Sequence, residues 1–300
     1  MRFLNSFPSS THLPIHPSTH LPICPYAPMP LETYTPPVSA LLTYADCRDL
    51  DKQHPDWVNY PQQFGFTEAD VPELLRMAID PEINDLPSDR IEVWASVHAW
   101  RALGQLKATA AIEPLISLFG REEDDWILID MPRVFSMIGE AAIGSLTQCL
   151  EDGEQDHQTR VVAADCLTHI ALDRVDLWEA CTQPIVRLLE QYETNSEDLT
   201  TMLIANVLDL KMASAAPLLE KIYAAGKVDE FMVGTWASTQ VELGLKRQED
   251  FSPKELRPTP PQGLLEAMKM IEVIDRQRRK PQGFGTAPTP NPKQKKKKKK

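Results

Sequence analysis

Apolar residues recur at three- and four-residue steps from about residue 88 onward. In the first such segment the apolar positions are Ile91, Trp94, Ala95, Ala99, Ala102, Leu103 and Leu106. This spacing predicts an amphipathic helix of about five turns, with Ser88 as its expected N-cap. No segment alternates with period two over more than a few residues, and β-branched clusters are sparse. The pattern therefore predicts helices and no strands.

The predicted helices come in pairs. The first pair is completed by a helix at about residues 109–119. The further pairs are 126–138 with 141–150, 159–170 with 177–192, and 198–210 with 213–225, followed by a closing helix at about 231–243. Pro132 is expected to kink the helix that contains it. A short helix over residues 67–79 precedes the pairs, with Pro72 tolerated in its first turn.

A short phrase recurs along this region. Leu106-Lys-Ala-Thr-Ala-Ala-Ile-Glu-Pro-Leu115 returns as Leu210-Lys-Met-Ala-Ser-Ala-Ala-Pro-Leu-Leu219. A third Leu-Lys stands at Leu245–Lys246, and Ile138-Gly-Glu-Ala-Ala-Ile-Gly-Ser-Leu146 is a looser copy. Recurrence at roughly 30–40 residues is typical of a solenoid, whose units stack because none buries its apolar face alone. Solenoids usually serve as interaction surfaces.

The helix pair that contains Ala102-Leu-Gly-Gln-Leu106 and Ala110-Ala-Ile-Glu-Pro-Leu115 resembles the HEAT-like repeats of phycobilisome lyases and many bacterial proteins. Residues 36–246 also resemble bacterial and cyanobacterial HEAT-repeat proteins. The matching phrases are Val93-Trp-Ala-Ser-Val-His-Ala-Trp-Arg-Ala-Leu-Gly104, Asp124-Asp-Trp126 and Val233-Gly-Thr-Trp-Ala-Ser-Thr-Gln-Val-Glu-Leu-Gly244. The resemblance implies an all-α fold, a right-handed α-solenoid of about four HEAT-like helix pairs. It specifies no function, because the same units serve unrelated tasks.

Five segments are expected along the chain. Residues 1–38 are rich in Pro, Ser and His, which predicts disorder, and whether Met1 or Met29 is the true start stays open. Residues 39–87 are expected to form an N-terminal cap with a short helix, and residues 88–246 the repeats. Residues 247–280 are expected to form a linker and a candidate amphipathic helix that aligns Ala267, Met270, Ile271 and Ile274. Residues 281–300 are a predicted disordered Lys-rich tail.

The net charge of −12 conceals an asymmetry. Residues 276–300 contain eleven Lys and Arg residues and no acid, whereas residues 1–275 contain 20 basic and 43 acidic residues. An acidic body disfavours nonspecific duplex binding, and specific RNA recognition has no support without interleaved aromatics. Three interpretations of the Lys-rich tail stay open: it binds an anionic partner such as RNA, acidic lipid or acidic protein, it binds its own acidic body, or it has no role.

The location predicted from the sequence is the cytoplasm. No run approaches the ~18 apolar residues that would span a bilayer, and the first residues lack the apolar stretch of a secretory signal. The five cysteines are odd in number and show no framework spacing. They indicate reduced thiols.

No catalytic, metal or cofactor motif stands out. The Walker, dinucleotide-binding, Cys-x-x-Cys and His-Glu-x-x-His patterns are absent from the sequence. Cys166 and His169 fit a nucleophile–base pair, but Cys166 falls on an apolar stripe, so a buried thiol is favoured. The acidic residues 122–125 lack the alternating spacing of a calcium loop. We therefore expect no metal and no cofactor, and assign no catalytic residue.

The function predicted from these patterns is a non-catalytic protein-interaction scaffold or adaptor for a protein partner whose identity stays open. Recognition is expected on the second helices of the pairs, through Glu113, Ser117, Gln148, Glu151, Arg187, Gln191, Glu220 and Lys221. Trp100 joins them as an aromatic hot-spot candidate, although packing between repeats explains it equally well. The alternative is a phycobilin lyase or a phycobilisome-handling, chaperone-like component.

Overall fold

A computed structural model describes residues 34–121, 125–260 and 262–278. Within these ranges the regular secondary structure is helical and includes no strand, which confirms the all-α class. The predicted disorder of residues 1–38 and 281–300 falls outside the described residues, except at residues 34–38. There the prediction is wrong, because Tyr34 and Val38 are buried and the Tyr34 hydroxyl donates a hydrogen bond to Asp80. The packed part of the chain therefore includes residues before 39.

The chain divides into two compact units, with the boundary between Ile185 and Val186. The first unit contains α1 (Cys47–Gln53), α2 (Tyr60–Phe64), α3 (Val71–Ala78), α4 (Pro81–Asn84), α5 (Trp94–Gln105), α6 (Ile112–Ile116), α7 (Asp125–Ile138), α8 (Ile143–Glu151) and α9 (His157–Asp173). Helix α10 (Trp178–Leu189) begins in this unit. Helix α3 packs on α5, α5 on α7 and α7 on α9, while α6 contacts α8 and α8 contacts α9. These contacts join helices of successive predicted pairs: the first helices α5, α7 and α9 pack in series, and the second helices α6 and α8 contact one another.

The second unit contains α11 (Glu197–Asp209), α12 (Ala216–Ala224), α13 (Glu230–Val233), α14 (Trp236–Glu242) and α15 (Gln262–Arg278). The closing helix predicted at 231–243 is instead divided into α13 and α14. Gly234 adopts φ +87°, and a Cβ there would clash with the Ser238 hydroxyl, so only glycine fits. Thr235 then caps the start of α14. Among the described residues, every helix is too short or too polar to span a membrane.

Helix α5 begins later than its apolar pattern predicts. Ser88 lies in a turn closed by a hydrogen bond from the Arg90 N–H to the Pro87 carbonyl, and Ile91–Val93 form a 3-10 helix before Trp94. The prediction that Ser88 is the N-cap is therefore wrong. Helix α7 continues through Pro132.

The recurring phrase marks the C-terminal ends of α5 and α11. After α5, Lys107 adopts φ 55°, and the Ala108 N–H donates to the Leu103 carbonyl at 3.0 Å. After α11, Lys211 adopts φ 51°, and the next N–H donates to a carbonyl five residues back at 3.1 Å. Both ends are Schellman C-caps, whose left-handed residue is usually glycine.

Each of these caps leads into the same kind of turn. Thr109–Ala111 form a 3-10 turn that leads into α6, and Ala213–Ala215 form one that leads into α12. The third Leu-Lys is out of register with the other two, because the left-handed residue after α14 is Gly244, with φ 71°. The phrase therefore encodes a junction between a longer helix and a shorter one.

Replacing Lys107 by glycine should stabilise the protein. Glycine removes the cost of a Cβ at positive φ, which exceeds the added entropy of the unfolded chain, so we expect a gain of roughly 0.5–1 kcal/mol. The matched control is Lys221→Gly inside α12, which should instead cost about 1 kcal/mol. Urea unfolding midpoints measure both. Equal losses in the two variants would show that Lys107 does not occupy a left-handed cap.

Candidate functional site

Four of the predicted partner-binding residues lie on or next to α6 and α8 in the first unit. Glu113, Ser117, Gln148 and Glu151 are all exposed; we call this set the α6–α8 surface. The Ser145 hydroxyl donates to a Glu113 carboxylate oxygen at 2.6 Å and joins the two helices. The inner sides of both helices are buried through Ile112, Leu115, Leu146 and Leu150. The exposed residues therefore project from helices that are anchored in the core.

The other four predicted helix residues belong to the second unit. Arg187 lies near the end of α10 and Gln191 just beyond it, while Glu220 and Lys221 lie on α12. All four are exposed. The Gln191 side-chain amide donates to the Arg187 carbonyl at 3.5 Å. These residues form a second exposed set, separate in the chain from the α6–α8 surface.

Trp100 does not belong to an exposed surface. Its side chain is 1% exposed, and its indole N–H donates to the Ala78 carbonyl at 2.9 Å. Every residue of α5 from Trp94 to Gly104 is buried, because α1, α2, α3 and α7 all contact this helix. The prediction that Trp100 belongs to a partner-binding surface is therefore wrong, because its side chain packs inside the protein.

A buried charge cluster centred on Arg101 was missed by the sequence reasoning. Arg101 is fully buried, and its Nε donates to Asp130 Oδ2 at 2.7 Å. Its two terminal nitrogens donate to the Asp51 carboxylate at 2.7 and 2.9 Å. Asp51 lies on α1, Arg101 on α5 and Asp130 on α7. The cluster therefore joins α1 to α5 and α7.

The charges of this cluster depend on one another. Burial raises the pKa of Asp130 above its ordinary value, and the hydrogen bonds and charge of Arg101 oppose that rise. Burial lowers the pKa of Arg101, but hydrogen bonds to Asp51 and Asp130 outweigh it and raise that pKa overall. Arg101 stays protonated, and it is the group that lets Asp130 lie in the interior as a carboxylate.

The indole of Trp57 covers the cluster. The guanidinium carbon of Arg101 lies 4.6 Å from the Trp57 ring centroid, and that of Arg133 lies 4.2 Å from it. Trp57 adopts φ 62°, a strained conformation for a bulky residue. Arg133 holds the turn by donating to the carbonyls of Pro55 and Asp56 at 3.0 and 2.8 Å. These cation–π contacts fix a strained turn over the buried charges.

A second buried polar network surrounds His98. Its Nε2 lies 2.9 Å from the Ala45 carbonyl oxygen, so Nε2 carries the proton and donates. Its Nδ1 then accepts from the Tyr60 hydroxyl at 2.7 Å, and Cys47 Sγ lies 3.6 Å from the same nitrogen. The imidazole is neutral in this arrangement.

The titration of these groups follows from their burial. Burial lowers the pKa of His98 to about 4 and raises the pKa of the Cys47 thiol far above its ordinary value. A neutral imidazole beside an un-ionised thiol lacks the thiolate that a nucleophilic pair needs. Burial also raises the pKa of Cys166, which is fully buried as expected. Both cysteines therefore serve packing in this structure.

His98 should make the stability depend on pH. The unfolded chain binds a proton at an ordinary histidine pKa near 6.5, whereas the folded chain binds one only near 4. Between these values the unfolded state binds more protons, so His98 contributes stability that is lost as pH falls, by up to roughly 3 kcal/mol. We expect urea midpoints of the wild type to drop more steeply from pH 6.5 to pH 4 than those of His98→Gln. Parallel curves would contradict this.

Among the described residues, no group of three or more His, Cys, Asp or Glu side chains is placed to hold a metal ion. The acidic residues 122–124 lie outside the described part of the chain. The sequence and the structure match no family model, no curated protein and no solved structure. The HEAT-like resemblance therefore stays a prediction from the quoted motifs.

Proposed function

We propose that the chain is a HEAT-like α-solenoid that works as a non-catalytic scaffold or adaptor for a protein partner in the cytoplasm. The observation that carries the proposal is the repeated junction after α5 and α11. Each junction has a left-handed lysine, a Schellman cap and a 3-10 turn that leads into a shorter helix. A junction that recurs in equivalent form is expected of repeated helix pairs.

The α6–α8 surface is the proposed recognition site in the first unit. It combines two acids, Glu113 and Glu151, with the uncharged polar residues Ser117 and Gln148, and all four are exposed. The backbone of an anchored helix loses little further freedom on binding, which favours specific recognition. An acidic surface favours a partner with basic groups and speeds its association.

The cytoplasmic location rests on cysteine chemistry. Cys47, Cys149, Cys166 and Cys181 are buried free thiols, as expected of a chain that folds in a reducing compartment. No specific contact or cavity of the described residues favours the phycobilin-handling alternative, which stays a prediction from the sequence.

Affinity capture with a charge-reversed surface tests the proposal. In the test variant, Glu113→Lys and Gln148→Lys change the α6–α8 surface. In the matched control, Asp89→Lys and Gln53→Lys make the same charge change at exposed residues that lie on neither helix. Each tagged protein is incubated with an extract of the cells that make it, and retained proteins are quantified by mass spectrometry.

The scaffold proposal expects a specific outcome from that comparison. At least one protein should be retained by the wild type and the control but reduced at least about tenfold by the test variant, a loss equivalent to roughly 1.4 kcal/mol of binding. If all three proteins retain the same set in equal amounts, the α6–α8 surface is not the recognition site.

A further inference from the structure

Helix α15 has apolar side chains that face solvent. Met270 is 66% exposed, Ile271 63%, Val273 53% and Ile274 44%. These residues lie within five consecutive positions of a 17-residue helix. Single exposed apolar residues are common, but a contiguous set of this kind marks a surface that binds something.

The charge of the chain changes sign at the end of the same helix. Residues 276–300 contain eleven Lys and Arg residues and no acid, and the run ends in six consecutive lysines. The basic residues begin with Arg276 and Arg278, in the last turn of α15. A helix with exposed apolar residues is therefore followed by a segment of strongly positive net charge.

We propose that α15 and the basic residues after it bind the surface of a membrane that contains anionic lipid. The helix lies in the plane of the interface, with Met270, Ile271 and Ile274 among the acyl chains and the lysines at the headgroups. A single weak anchor gives only marginal binding, whereas an apolar helix and a polybasic segment together give stable attachment.

The shape and composition of the segment favour a lipid surface over other partners. The exposed apolar residues occupy adjacent positions, 270 with 271 and 273 with 274, so they cover more of the helix than the narrow seam of a coiled coil. Residues 276–300 include one aromatic residue, Phe284, whereas single-stranded nucleic acid is usually held by stacking on several. The acidic body repels anionic lipid, but salt screens that repulsion beyond about 8 Å.

Vesicle flotation with the full chain tests the proposal. The vesicles contain phosphatidylcholine alone or with roughly 30% phosphatidylserine, the anionic lipid of many membrane surfaces. In one variant Ile271→Asp places a charge on α15. Its control is Ile129→Asp, which makes the same change at an isoleucine of α7 that is 61% exposed. In a third variant each of Lys295 to Lys300 is replaced by glutamine.

The wild type and Ile129→Asp should float with the anionic vesicles and stay behind with neutral ones. Ile271→Asp should weaken binding at least about tenfold, and the variant with glutamine at 295–300 should weaken it and reduce its salt dependence. Absence of wild-type binding to anionic vesicles would overturn the proposal. Binding of Ile271→Asp to anionic vesicles with wild-type affinity would also overturn the proposal. Binding through the lysines alone is a charge contact that nucleic acid or an acidic protein satisfies equally.

Discussion

Replacing Arg101 by methionine is expected to lower the free energy of unfolding by roughly 3–5 kcal/mol. Asp130 is 1% exposed and receives hydrogen bonds from Arg101 at 2.7 and 3.3 Å. Without the guanidinium, this carboxylate would stay in the interior with no cation hydrogen-bonded to it, and most of its desolvation would no longer be offset. Urea unfolding at pH 7 measures the loss.

Two further variants separate the contribution of the ion pair to stability from the contribution of packing. Replacing Arg101 and Asp130 together, by methionine and leucine, should recover most of the lost stability, because apolar side chains of similar volume need no partner. Asp51→Asn should cost much less, since the Asp51 side chain is 29% exposed and water solvates it. If Arg101→Met were within about 1 kcal/mol of the wild type, the cluster would not stabilise the fold.

Replacing Trp100 by alanine should cost about 3–5 kcal/mol, the range for a large aromatic side chain removed from a core. The change empties the volume between α3 and α5 and leaves the Ala78 carbonyl without the indole N–H that donates to it at 2.9 Å. The unfolding midpoint in urea is the readout.

Trp100→Phe is the matched control, because it keeps most of the apolar volume and loses the hydrogen bond. It should cost about 1–2 kcal/mol. The fraction of Trp100→Ala molecules that is folded should retain the same partners as the wild type in affinity capture. A variant of normal stability that has lost a partner would restore the interpretation of Trp100 as a binding residue.

Helical periodicity predicts most of the fold because it reports which residues are shielded from water. The apolar spacing in residues 126–138 and 198–210 agrees with α7 and α11 within one residue at each end. The pattern cannot report where a backbone turns when the apolar residues continue. They continue through the segment 231–243 and so predict one helix, yet Gly234 followed by a capping Thr235 ends one helix and starts another.

The candidate site was predictable only in part. Residues off the apolar stripe of α6 and α8, such as Glu113 and Gln148, are exposed because one side of each helix packs inward. The same reasoning failed for α5, which is buried on all sides. The Arg101 cluster could not be predicted, because Asp51, Arg101 and Asp130 lie far apart in sequence and meet only when α1, α5 and α7 pack.

Site-specific photo-crosslinking tests most directly whether this protein is a scaffold that binds a partner through its second helices. A photoreactive phenylalanine analogue replaces Gln148 on α8 or, as the control, Gln53 on α1; both glutamines are exposed. Illumination of the tagged proteins in the cells that make them should give a discrete higher-mass adduct with the probe at 148 and none with the probe at 53. No adduct from position 148, or the same adducts from both positions, would contradict the proposed recognition surface.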